Sequence, residues 1–381
     1  MALKCFINGV AKNLTPVGQP PVTFINGEKK RLVKGVTFIN GVKKVLWDIK
    51  QLQIDYFDLT TISGADTLYL TGGGTGFFAN KNYLIYTSGY NVNKINVTNV
   101  ASPTLTAKVA IGSVVGFSSV DSNATTAVYY ARNQVESTET FNQLNVRLSD
   151  GDVTAANNSL SFNGRITVGC LAKLTDWINA NDINNTERYI YVRTGATQLY
   201  RYQAVQTGGS LSGHWDGCPN FTKIDSSTLV GRLQIYGGTT GIGEFTTSGY
   251  TAKSGSLDYR DFLAVGDVIA CAGVTGFGLY NRVVSGSYTS IGTATATADH
   301  LMRLVGKCRD YYYVVEFPTT SGGKFYLKVF DSSVNLIKTI ELTGLSYSGS
   351  YNYPRFTPQL SQTGYLCFQG GDNKMVRIAC Y

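Results

Sequence analysis

The chain holds two histidines, His214 and His300, among 381 residues. A hydrolytic triad or a zinc centre has little to draw on with so few imidazoles. His214 lies in the turn-rich run GHWDGCP and reads as a loop residue, and His300 in ADHLMRL opens a strand in a structural role. Seven cysteines (Cys5, Cys170, Cys218, Cys271, Cys308, Cys367 and Cys380) stand singly, with no CxxC pair. That pattern reads as buried, reduced thiols in a cytosolically made protein. The loop carboxylates Glu136, Glu139, Asp176, Asp182 and Glu187 could supply the acid pair of a glycosidase, but most such groups are simply solvated. The glycine runs GGGTG (72–76) and GGTTGIG (237–243) lack the following Lys-Ser/Thr and helix of a phosphate loop, and read as turns. The oxygen-rich stretches DSNAT (121–125) and NANDINNT (179–186) lack calcium-loop spacing. The expectation is therefore no catalytic residue, no metal, no cofactor and no enzyme.

Binding is a better use of the side chains present. Trp177 beside the 179–186 insertion, Trp215, Tyr351 and Tyr353 sit in connections rich in Asn, Asp and Thr. Such rings stack on sugars while their neighbours bond hydroxyls, so they are candidate contacts for a host surface glycan or a protein partner. Their alternative use is to plug seams between sheets.

Charge is concentrated at one end. Residues 1–50 carry nine Lys and Arg against Glu28 and Asp48, which is +7 of the net +8. They also carry an internal repeat: KCFINGVAKNL (4–14), VTFINGEKKRL (22–32) and VTFINGVKKVL (36–46). Asn-Gly between two alternating runs is the preferred pair for a tight hairpin turn, because both positions need positive φ. Each copy is expected to be a hairpin, with Phe on one face and the lysines alternating onto the other. A lone hairpin is marginal in water, so the three must pack on something. The sharper expectation is an assembly anchor formed by Phe6, Asn8, Gly9, Phe24, Asn26, Gly27, Lys29, Lys30, Phe38, Asn40, Gly41, Lys43 and Lys44. Nucleic acid is not the expected partner, since the lysines lack interleaved aromatics and an arginine cluster. No run is long and apolar enough for a membrane span, and the start MALKCFINGV lacks a signal-peptide core.

These candidate residues need elements to position them, and the rest of the chain is all strand pattern. Aromatics are 12% with 25 Tyr, charged residues only 15%, and Gly 42 against Pro 8. Short alternating runs separated by turns recur every ~40–55 residues, the spacing of four-stranded blades. The run YLIYT (83–87), the turn, KINV (94–97) and NVASPT (99–104) together resemble one blade of an LVIVD-repeat β-propeller. The resemblance implies an all-β fold, a single propeller of about seven four-stranded blades over residues 51–381, preceded by the hairpin module of residues 1–50. The last unit, residues 355–381, falls short of a full blade, and pairing with residues 51–70 would supply the missing strand and remove the edges. The repeated Ser-x-Asp-x-Gly-x-Thr-Trp boxes of sialidase propellers are absent. The polar, low-charge composition, basic arm and β body are similar to those of bacteriophage virion proteins such as tail, baseplate or head-fibre components. That similarity implies a structural role in the virion, with other virion proteins and further copies of the chain as partners.

Overall fold

A computed structural model gives the architecture. It describes side chains for residues 52–67, 78–86, 91–108, 259, 261–348 and 363–380, and for single residues among 222–254 and 354–361. Other strands are described by backbone alone. The chain divides into two compact units, Met1–Gln53 with Tyr381 and Ile54–Cys380; the strand Gln53–Asp58 begins on the boundary and is described with the second.

The first unit contains Lys4–Ile7 (β1), Val10–Asn13 (β2), Val22–Ile25 (β3), Glu28–Arg31 (β4), Lys34–Ile39 (β5) and Val42–Asp48 (β6). They form three separate two-stranded antiparallel sheets, β1-β2, β3-β4 and β5-β6. Ile7 pairs with Val10, Ile25 with Glu28 and Ile39 with Val42, leaving two residues for each connection. In register, Phe24 lies across from Lys29 and Phe38 across from Lys43, while Lys30 and Lys44 lie across from Thr23 and Thr37.

The second unit opens with Gln53–Asp58 (β7) and a 3-10 turn, Leu59–Thr61, the only helical element among the described residues. Asp58 caps that turn by accepting the Thr60 N–H at 3.0 Å. Strands then follow in groups. The first is Phe77–Ala79 (β8), Tyr83–Thr87 (β9), Asn91–Asn96 (β10) and Thr104–Ala110 (β11). Next come Phe117–Val120 (β12), Thr126–Val135 (β13), Thr138–Arg147 (β14) and Val153–Asn163 (β15), then Trp177–Ala180 (β16), Arg188–Thr194 (β17) and Gln198–Ala204 (β18). Thr222–Lys223 (β19), Leu229–Ile235 (β20), Gly238–Thr246 (β21) and Gly249–Ala252 (β22) precede Tyr259–Val265 (β23), Val268–Gly273 (β24), Gly276–Asn281 (β25) and Thr289–Thr295 (β26). The last are His300–Cys308 (β27), Tyr311–Pro318 (β28), Phe325–Phe330 (β29), Leu336–Leu342 (β30), Gln359–Ser361 (β31), Tyr365–Gln369 (β32) and Lys374–Ala379 (β33).

Among the described strands this unit holds seven sheets, each an open meander whose strands follow sequence order. Two departures join distant parts of the chain. β31 lies parallel to β27, with Gly306 against Gln359 and Cys308 against Ser361. β7 adds to the far side of β33, in the order β32-β33-β7. The beginning and the end of this unit thus share one sheet.

Strict alternation decides which neighbour each strand serves. In β24, Ile269 and Cys271 point into a core with Val230, Ile242, Tyr259 and Tyr288, while Ala270 and Ala272 point the other way, against Met302, Leu304 and Tyr312. The β23–β26 sheet is therefore covered on both faces, by β19–β22 on one side and β27–β30 on the other. A third core packs Phe57, Leu59, Cys367 and Met375 against Leu84, Tyr86 and Ile95, so β7-β32-β33 covers β8–β11. Phe317, Phe325, Phe356 and Phe368 stack in a chain with centroids 5.2–5.9 Å apart between the last two sheets. This places the core between sheets, face to face, rather than in one central mass.

Two turn expectations are corrected. Gly238–Gly243 belongs to strand β21, not to a turn; the connection is only the two residues between Ile235 and Gly238. The register shift between Arg232 and Gln234 takes up the irregularity that glycine permits. Trp177 lies on β16, across from Val192, rather than in a connection. The run WINA is β-prone and finds a partner strand, which outweighs the polar residues that follow it.

Candidate functional site

The arm is the candidate site the sequence singled out, and its geometry is that of its backbone. Each of its three sheets has two strands and, among the described residues, no further partner on either outer edge. Unpaired strand edges present rows of N–H and C=O groups that template another strand. The Asn-Gly connections (Asn8, Gly9, Asn26, Gly27, Asn40, Gly41) lie outside the described residues, and so do the side chains of Phe6, Phe24, Phe38, Lys29, Lys30, Lys43 and Lys44. The same holds for Trp215, Tyr351 and Tyr353, for the side chain of Trp177, and for Glu136, Asp176, Asp182 and Glu187; Glu139 lies on β14, across from Gln134, with its side chain outside the described residues.

The side chains that the structure does bring together were not singled out by sequence. Asp55 on β7 and Arg377 on β33 form a buried ion pair, with Nε and Nη2 donating to Oδ2 at 2.9 and 2.7 Å. The remaining guanidinium edge, through Nη1, donates to the carbonyls of Asn80 and Lys81 at 3.1 and 2.8 Å. Arg377 also lies over the rings of Phe57 and Tyr365, 5.5 and 5.3 Å from their centroids. One side chain thereby fastens β7, β33 and the connection after β8. The signal was present: in QIDYFD, alternation puts Asp55 on the inward face with Phe57, and an acid in the apolar phase requires a buried partner.

The other buried acids are paired in the same way. Asp261 on β23 accepts Arg303 Nε and Nη2 at 2.6 and 2.8 Å and the Leu304 N–H at 2.9 Å, tying two sheets. Glu244 on β21 accepts the Tyr288 hydroxyl at 2.6 Å and Arg282 Nε at 3.0 Å. Burial pushes the Tyr288 hydroxyl up, and the carboxylate it donates to adds to that. Glu316 accepts Thr297 N–H at 2.7 Å and pairs with Lys328 at 2.7 Å. Burial works to raise its carboxyl, but the Lys328 ammonium and the Thr297 donors hold it below the ordinary range. Each acid has bases or donors filling its lone pairs, which is the chemistry of a structural tie. His300 Nδ1 lies 2.9 Å from the Ala298 carbonyl, bracing the start of β27. Among the described residues, no group of three His, Cys, Asp or Glu could hold a metal ion, and no helix is long and apolar enough to cross a membrane.

No family model and no curated protein matches the chain. Among solved structures it is similar to the β-propeller domain of the Trilobed protease from Pyrococcus furiosus, at 9% identity and TM-score 0.42 over 80% of this chain and 91% of that one. It is also similar to KlHsv2 with its loop 6CD replaced by a Gly-Ser linker, at 10% identity and TM-score 0.41 over 80% and 90%. A functionally unknown protein from Desulfotomaculum acetoxidans DSM 771 matches at 12% identity and TM-score 0.42 over 74% and 86%. At these values the fold is argued from the sheet order and the cores alone.

Proposed function

We propose that the chain is a non-enzymatic structural component of a bacteriophage virion. In this reading the basic hairpins dock on the particle and the body is a displayed β-propeller. The observation that carries it is the pairing of charge with open edges: +7 of the net +8 falls in residues 1–50, on three two-stranded sheets without further partners among the described residues. Edge strands add to a neighbour's sheet, and lysines steer that encounter toward an acidic surface. Residues 83–87 and 94–96 of the blade-like run fall on successive strands of one sheet, β9 and β10.

Propeller blades are supported by three features of the body. The sheets are largely meanders in sequence order, the β23–β26 sheet is covered on both faces by its neighbours, and first strands converge. β19 touches β23, β23 touches β27, and β12 and β23 touch β31. First strands of adjacent blades run the same way round a central axis, which is the sense of the parallel β27–β31 pair. β7 beside β33 then closes the ring.

The test compares the full chain with a version lacking residues 1–50, which keeps β7. Light scattering and co-sedimentation with assembled particles are read, with circular dichroism as the folding control. Loss of particle binding with an intact β spectrum is the expected result. Equal binding by the truncated protein overturns the anchor role.

A further inference from the structure

The geometry points to Cys308 and Cys380 as a redox couple, whose closure into a disulfide fastens the last strand of the body to β27. Three backbone relationships bring the two thiols together. Cys308 ends β27 directly across from Ser361 of β31. Ser361 Oγ donates to the Tyr365 carbonyl at 2.6 Å. The Cys380 N–H donates to the Gly364 carbonyl at 2.8 Å, just past the end of β33. The Cys380 thiol stands within hydrogen-bonding reach of Cys308, with its Sγ also 3.9 Å from the Ile378 carbonyl, and neither cysteine is in a disulfide.

Their surroundings suit redox chemistry. The contact with Cys380, helped by the Arg309 charge, outweighs burial and brings the Cys308 thiol down to about 7. Arg309 is held in this corner, its Nη2 4.0 Å from where a Gly364 Cβ would stand. Cys308 is itself buried, but it adjoins the exposed turn Arg309-Asp310 and its partner Cys380 is half-buried, so a small oxidant has a short path to the pair. Cys271 and Cys367 form the contrast. Cys308 is as buried as they are, but at Cys271 and Cys367 burial prevails and pushes the thiols up.

The oxidant is a peroxide, taken here as hydrogen peroxide. The Cys308 thiolate attacks one peroxide oxygen: an S–O bond forms, the O–O bond breaks, and the leaving hydroxide takes a proton to become water. The Cys380 sulfur then attacks the Cys308 sulfenic acid. The S–S bond forms, the S–O bond breaks, and the Cys380 proton leaves with the departing hydroxide as a second water. Two thiols have lost two electrons and peroxide has gained them. The bond closes a loop between positions 308 and 380, so it removes a large share of unfolded-state freedom.

The experiment treats the full-length protein with stoichiometric hydrogen peroxide, blocks remaining thiols with N-ethylmaleimide and maps peptides by mass spectrometry. The expected result is a Cys308–Cys380 cross-link as the first disulfide formed, reversed by dithiothreitol. Oxidised wild type should also melt several degrees above the reduced form. C380S should show no such rise and should trap dimedone at Cys308. Should C380S fail to fold, the wild-type peptide map decides alone. Over-oxidation of Cys308 without a cross-link, earlier pairing of other cysteines, or two thiols that stay open to alkylation would each overturn the couple.

Discussion

Arg377→Met tests what holds the two ends of the body together. The substitution keeps the apolar stem over Phe57 and Tyr365 and removes only the guanidinium. It deletes two bonds to Asp55 and two to the Asn80 and Lys81 carbonyls, and it leaves the Asp55 carboxylate buried at 5% exposure with its cationic partner gone. Stranding one member of a buried pair costs about 3–5 kcal/mol, far more than the ~0–1 kcal/mol of an exposed pair. Replacing both members with apolar side chains, as in D55L/R377M, removes the stranded charge and should recover most of that loss. Urea denaturation measures the three proteins, and amide exchange locates the damage. Protection should fall first in β7 and the 3-10 turn, while β24 and β28 stay protected. A loss of less than about 1 kcal/mol in R377M, or no recovery in the double variant, would refute the reasoning that this pair is a desolvated tie.

Three further outcomes are expected. A Cβ on Gly306, whose φ is +153°, would stand 2.1 Å from the Gln359 carbonyl oxygen, so G306A should cost at least ~2 kcal/mol, against ~1 kcal/mol for G266A, where φ is +60° and nothing lies within 4 Å. Thermal melts of the two variants make the comparison. Phe317→Ala empties the middle of the aromatic chain and should cost ~3–5 kcal/mol in the same urea assay. Glu316→Gln should cost ~1–3 kcal/mol at neutral pH. Because its folded carboxyl titrates below the ordinary value of 4.5, the ionised form's contribution is present above 4.5 and is lost as pH falls through the lowered value. Wild type and E316Q should therefore converge in acid, and melts taken from pH 7 to pH 3 read that convergence.

What the sequence made legible was local. VIACAG alternates, and its two residue sets serve two different cores. KFYLKVFDSSVNLIKTIEL reads as an outer hairpin, and its strands β29 and β30 end the sheet order β27-β28-β29-β30. Tight turns and period-two patterns are written in neighbouring residues, so they survive without a fold to consult. Of the pairings that depend on distant chain, only that of residues 51–70 with 355–381 was legible, from the incomplete last unit, and the structure places β7 beside β33. Nothing near Gln359 announces that β31 runs parallel to β27. Nothing near Asp55 names Arg377, although its apolar phase signals that some base is needed. Gly238–Gly243 misled because glycine is a turn residue in isolation, and only the partner strands β20 and β22 hold it extended.

The unpredicted contacts converge on β33. Consecutive meanders are joined by chain, whereas β7 meets β33 across the whole length of the second unit. Only non-covalent contacts act there, so that seam opens first unless something reinforces it. Arg377 ties β33 to β7 and to the connection after β8. Three residues further on, Cys380 reaches the end of β27 on the other side. Reinforcement on both flanks of one strand is what a load applied through residues 1–50 would require, because that segment enters the body at β7. A pull on the arm in the proposed particle would be carried by β7 against β33, and from β33 to its neighbours. Oxidation of the thiol pair should therefore raise the force at which the body opens from its N-terminal end, while leaving the hairpins' own docking unchanged.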